Sequence, residues 1–136
     1  MATLVLFYSY SGKTRSIAQE FAAKESAGIA EIEDVRRPGK LKAYIGGILA
    51  VIRGKAWPMR PLEVDWTAYD HVILLTPVWA DNPPPVVLSA LKQFPEGKTV
   101  AVKMVSMSGN SDCKERIETI IKSRGSILEG IENIKV

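Results

Sequence analysis

The chain has one cysteine and one histidine among its 136 residues. Cys113 therefore has no partner for an intramolecular disulfide, and such usage fits a reducing, intracellular setting. No group of His, Cys, Asp and Glu has metal-ligand spacing. His71 opens a hydrophobic run, which makes it a poor candidate for acid–base work. No apolar run approaches the ~20 residues that span a bilayer. The N-terminal run that ends at Tyr8 is too short, and lacks the basic lead, for a secretory signal. A cytoplasmic protein with no membrane partner is expected. A strong charge of one sign is also lacking: the formal net charge is +3. A nucleic-acid binder gathers its Lys and Arg on one face. Here they are scattered, so no nucleic-acid partner is expected. Arg36-Arg37 with Lys40 and Lys42 is the nearest thing to a run. It reads as a solvated linker, with a docking patch for an acidic partner as the other reading. Repeats and low-complexity segments are absent.

What is present is ordinary for a globular chain: 46% hydrophobic and 24% charged residues. The length suits one domain over residues 1–136. Leu4 to Tyr8 is a continuous apolar run, the pattern of a parallel strand buried on both faces. From Arg15 the period becomes helical, with Ile17, Ala18, Phe21 and Ala22 on one side. Ile29 to Val35 reads as a second strand near a sheet edge. After the break at Pro38-Gly39, the stripe from Leu41 to Ile52 has helical spacing, and 54–65 is irregular. Asp70 to Thr76 is the most hydrophobic strand, followed by a loop from Pro77 to Pro85 and a short helix from Val86 to Phe94. Thr99 to Ser106 is a fourth strand, Asp112 to Arg124 a helix, and Ile127 to Val136 a last strand interrupted at Gly130. This alternation predicts an α/β fold, a parallel sheet with helices on both faces. Such sheets bind ligands at the carboxyl ends of their strands.

Three loops lie there. Ser9-Tyr10-Ser11-Gly12-Lys13-Thr14 joins a strand to a helix N-terminus. Backbone N–H groups and the helix dipole favour an anion at such a junction. The hydroxyls of Ser9, Ser11 and Thr14 add donors, Gly12 permits close approach, and Lys13 adds charge. One capping residue would satisfy the helix, so this density of hydroxyls points to a phosphate. Ser11 to Thr14 looks like the end of a Walker A loop, but Phe7 holds the place of its first glycine. The dinucleotide pattern G-x-G-x-x-G is missing too. The second loop carries Pro77, Val78, Trp79, Ala80 and Asp81 before three prolines, and places an aromatic ring where a flat ligand would stack. The third, Ser106, Met107, Ser108, Gly109 and Asn110, is small and polar. The carboxyl ends lack the cysteine that a tyrosine phosphatase of similar topology needs. They also lack the acidic cluster of a receiver domain.

A phosphate at one end and a planar ring at the other describe flavin mononucleotide. The segment from Val5 to Thr14 with Ile17-Ala18, and Tyr69-Asp70-His71-Val72-Ile73 followed by Thr76 to Ala80 and the prolines, resemble short members of the flavodoxin family. The resemblance covers nearly the whole chain. It implies a three-layer sandwich around a five-stranded parallel sheet in the order 2-1-3-4-5. It implies noncovalent FMN, with its phosphate on Ser9 to Thr14 and its ring between Trp79 and the Ser106–Asn110 loop. Backbone groups near Asp81 and Gly109 would meet the ring edge. It further implies electron transfer to a redox partner protein or small-molecule acceptor, with no catalytic side chain. The alternatives are a small NAD(P)H-dependent flavin or quinone reductase, and a non-redox binding module without flavin. The chain departs from the family in Lys13, in its basic balance, and in ending at strand five, which leaves a sheet face for the Leu41–Ile52 helix or a homodimer to cover.

Overall fold

Side chains that alternate between two apolar layers need helices on both sides of the strand that bears them. The computed structural model describes residues 2–33 and 59–136. In it β1 (Ala2–Phe7), β2 (Gly28–Glu31), β3 (Tyr69–Pro77), β4 (Thr99–Ser106) and β5 (Ile127–Lys135) form one parallel sheet in the order β2-β1-β3-β4-β5. Among the described residues the α-helices are α1 (Lys13–Glu25), α2 (Pro85–Lys92) and α3 (Lys114–Ser123). The flavodoxin-like order implied by the sequence is therefore the observed one.

The two faces bury different sets of side chains. Val5, Phe7, Ile73, Leu75 and Val105 pack with Ala18 and Ala22 of α1. Leu4, Leu6, Val72, Leu74, Val100, Val102 and Met104 pack with α2 and α3. Right-handed crossovers give this split, because the chain steps one way from β1 to β2 and the other way from β3 to β5. Phe94, 2% exposed, closes the lower end of the second core and meets Trp66 edge-on at 5.3 Å.

Beyond α1, charge covers part of its face of the sheet. Lys103 of β4 donates to Glu132 of β5 at 2.5 Å and lies 5.3 Å from the centre of the Phe21 ring. His71 Nε2 is 2.9 Å from a carboxylate oxygen of Glu129. Lys103 is largely buried, whereas both carboxylates are exposed. His71 sits near the amino end of β3, away from the loops at the carboxyl ends.

Several boundaries differ from the expectation. β2 stops at Glu31, although Ile32 still donates to the carbonyl of Phe7 at 2.7 Å. Ile29 is 45% exposed, because the core side of this edge strand belongs to Ala30 and Ile32. α1 begins at Lys13, ahead of Arg15, and α3 begins at Lys114 with Cys113 as its N-cap. The interruption at Gly130 is a bulge: Val100 pairs with Leu128, and Ala101 with Gly130. The expected continuation of the second strand past Glu33, the Arg36-Arg37 run and the Leu41–Ile52 helix lie outside the described residues.

Phe94→Ala should lower unfolding free energy by about 3–5 kcal/mol, since it opens a cavity and removes an aromatic contact. Chemical denaturation monitored by far-UV circular dichroism measures this.

Candidate functional site

The first loop is shaped by one internal hydrogen bond. The N–H of Gly12 donates to Ser9 Oγ at 3.0 Å, and Gly12 takes φ +97°. This left-handed turn suits glycine and directs the chain into α1. The first bond of that helix runs from the N–H of Ser16 to the carbonyl of Gly12 at 3.2 Å. The N–H groups of Lys13, Thr14 and Arg15 precede any intrahelical acceptor. Ser9 is 3% exposed and Thr14 4% exposed, whereas Ser11 and Lys13 are exposed. Among the described residues the Thr14 hydroxyl has no hydrogen-bond partner. Arg15 turns to β2, donating through Nε and Nη2 to the two oxygens of Glu31 at 3.2 and 2.6 Å. The bond and charge of Glu31 raise the Arg15 pKa further above its already high ordinary value.

The second loop is a tight turn. Trp79 and Asn82 exchange backbone bonds of 2.7 and 3.1 Å, with Ala80 at φ 50° and Asp81 at φ 64° between them. Two positive φ values in a two-residue connection are those of a type I′ turn, which usually carries Asn and Gly. Asn82 Nδ2 donates to the carbonyl of Ala80 at 2.9 Å. Pro77 ends β3, and Val78 packs on the core beneath. Trp79 meets Tyr8 at 6.4 Å and Tyr10 at 5.8 Å between ring centres, both nearly perpendicular. The aromatic contact thus joins the second loop to the first.

The third loop repeats the device of the first. Ser9-Tyr10-Ser11-Gly12 has its counterpart in Ser106-Met107-Ser108-Gly109. The N–H of Gly109 donates to Ser106 Oγ at 3.0 Å, with φ +72° at the glycine. Asn110 N–H donates to Ser108 Oγ at 3.2 Å. Ser108 is exposed, and Met107, 75% exposed, is the most open large apolar side chain described. Asp112 N–H donates to the carbonyl of Asp81 at 3.0 Å, and Arg116 donates to Asn82 at 3.2 Å, so loops two and three are tied together. The Gly109 N–H and Asp81 carbonyl are therefore engaged within the protein. The Asp81 N–H has no acceptor among the described residues.

All three expected loops lie at the carboxyl ends of β1, β3 and β4. Sequence reading missed Tyr8, Arg15, Glu31, Asn82, Asp112 and Arg116 as parts of this framework. Tyr8 reads as an apolar strand end, and only the fold reveals its ring against Trp79. Asn82 beside Ala80-Asp81 carried a usable signal, since Asn stabilises turns through its own side chain. Cys113 is buried beneath the third loop. Burial pushes its thiol above the ordinary value of 9.0, outweighing a hydrogen bond to Ser111.

No family model matches the chain, and no curated protein does. Solved structures do. A flavoprotein of Lactobacillus acidophilus NCFM in complex with FMN is 21% identical, with a TM-score of 0.75 over 96% of this chain and 91% of that one. A protein of Bacteroides eggerthii DSM 20697 gives a TM-score of 0.80 at 17% identity, covering 96% and 86%. A flavodoxin of Streptococcus pneumonia TIGR4 gives 0.54 at 15% identity, covering 100% and 87%. The fold is flavodoxin-like. No described helix is long and apolar enough to cross a membrane, and the described residues include no metal-ligating cluster.

Ala80→Gly should stabilise the protein by about 0.5–1 kcal/mol, because glycine removes the left-handed strain at a small entropic cost; the denaturation midpoint reports it. A raised thiol pKa keeps Cys113 protonated near neutrality. A disulfide reagent at pH 8 should therefore label native protein at least ~100-fold more slowly than unfolded protein.

Proposed function

We propose that the chain binds FMN at the carboxyl edge of its sheet and serves as an electron-transfer flavoprotein. The observation that carries this reading is the Thr14 hydroxyl. It is buried, without a partner among the described residues, and set among N–H groups that lack helical acceptors. A buried polar group left unmatched costs about 1–3 kcal/mol. A phosphate supplies acceptors for this hydroxyl and for the N–H groups of Lys13, Thr14 and Arg15, with the α1 dipole favouring its charge. Lys13, exposed at the start of α1, adds a longer-range attraction.

The rest of the ligand follows from the other loops. Trp79, fixed edge-on by Tyr8 and Tyr10, offers a rigid surface to a planar ring. Ser106 to Gly109 forms the opposite wall, and the Asp81 N–H can donate to the ring edge. The L. acidophilus relative, solved with FMN, supports this assignment. When bound, the flavin supplies reversible electron transfer. The chain's own groups anchor the phosphate, orient the ring and exclude water from one side of it. The exposed Met107 beside this site gives an acceptor, protein or small molecule, an apolar point of approach.

Absorption titration of flavin-free protein should show saturable, stoichiometric FMN binding with shifted flavin peaks. Riboflavin, which lacks the phosphate, should bind at least ~100-fold more weakly, given two or more lost charge-assisted bonds. Thr14→Val should weaken FMN but leave riboflavin unchanged, whereas Trp79→Ala should weaken both by about tenfold. Folded protein that fails to bind FMN at high micromolar concentration overturns the reading.

A further inference from the structure

Arg15 carries a charge that its helix does not favour. It lies in the first turn of α1, beside Lys13 and with no acidic residue in that turn. A helix N-terminus disfavours a cation and favours an anion. Yet the guanidinium does not turn towards the phosphate loop. It crosses to β2, where Nε and Nη2 donate to the two oxygens of Glu31 at 3.2 and 2.6 Å. The same fork of donors matches two oxygens of a phosphate. Glu31 therefore occupies the groups with which Arg15 would grip an anion.

The pair sits next to the proposed phosphate site. A cleft of about 140 Å³ is lined by Ser9 as well as by Arg15, Glu31, Glu33 and Arg60. Ser9 shapes the loop through the N–H of Gly12, and the N–H of Arg15 is one of the donors without an intrahelical acceptor. Arg15 thus borders the anion site with its backbone and the cleft with its side chain. Within the cleft two guanidinium groups meet two carboxylates, so the charge is balanced. Glu33 is exposed, and its side chain makes no ion pair or hydrogen bond among the described residues. It acts on Arg15 through charge alone and more weakly than Glu31 does. Glu31 is the carboxylate that holds the guanidinium.

We infer that Glu31 is a positioning residue: it acts through Arg15 to keep the guanidinium out of the phosphate cradle, which leaves the anion to backbone and hydroxyl donors. This role rests on the flavin reading above and adds to it what sets the strength of the phosphate contact. Donors fixed by the fold select an anion by its shape, whereas a long, mobile side chain adds attraction for any anion. With Glu31 neutralised, Arg15 is released beside a phosphate that carries nearly two charges and three strong acceptor oxygens. Such a group attracts it more than Glu33 does, because an exposed carboxylate is screened by solvent and salt.

The test is titration of flavin-free, full-length protein with FMN and with riboflavin, at about 0.01 M and about 1 M salt. Glu31→Gln keeps the shape of the side chain. It should bind FMN about tenfold more tightly at low salt and leave riboflavin affinity within about twofold of wild type. The gain should fall below about threefold at high salt, a dependence that a merely structural role does not produce. Glu31→Ala should reproduce the gain, and adding Arg15→Ala to Glu31→Gln should cancel it. FMN affinity that is unchanged or weaker in both Glu31 variants overturns the inference, and the flavin reading stands if wild-type protein binds FMN. A gain shared by riboflavin, or one that survives Arg15→Ala, overturns it as well. The pair is part-exposed, and such pairs contribute little to stability, so both variants should fold. Loss of the fold in both assigns the pair a structural role and overturns the inference. Wild-type protein that binds no FMN overturns both readings.

Discussion

Backbone bonds on both edges of β1 and side chains in both cores hold this strand in place between β2 and β3. Its position governs everything at the carboxyl edge. Because β1 cannot shift without disturbing two ladders and two layers, Tyr8 and Ser9 leave it at a fixed height and angle. Ser9 then sets the turn at Gly12, and Tyr8 supports Trp79. A one-residue slip would exchange the faces of Leu4, Leu6, Val5 and Phe7 and remove both supports at once.

The loops are held by the protein itself. Ser9 closes the first, Asn82 the second and Ser106 the third. Asp112 and Arg116 then link the second loop to α3. Arg15 and Glu31 join α1 to β2 in the same way. A site built from such cross-bonds keeps its donors in place, which reduces the ordering cost of binding.

Much of this was legible in the sequence. The continuous run before Ser9 marks a buried parallel strand, and the cluster from Ser9 to Thr14 marks a helix start able to hold an anion. The order of the strands came from the family resemblance carried by those residues and by Thr76 to Ala80. What escaped had no local pattern. Asp81 and Asp112, or Asn82 and Arg116, are far apart in sequence, and their bonds exist only because the sheet brings β3 and β4 side by side. The left-handed pair Ala80-Asp81 was hidden because alanine does not favour that conformation, although aspartate tolerates it.

The serine-to-glycine bond after β1, repeated after β4, has a bearing on timing. Each loop has its shape from bonds within four residues, so it forms as soon as its strand and helix meet. On the reading proposed above, an anion would meet a surface already shaped by these short-range bonds. Residence time, set by how many donors the anion must abandon, is then the quantity on which differences between ligands are written.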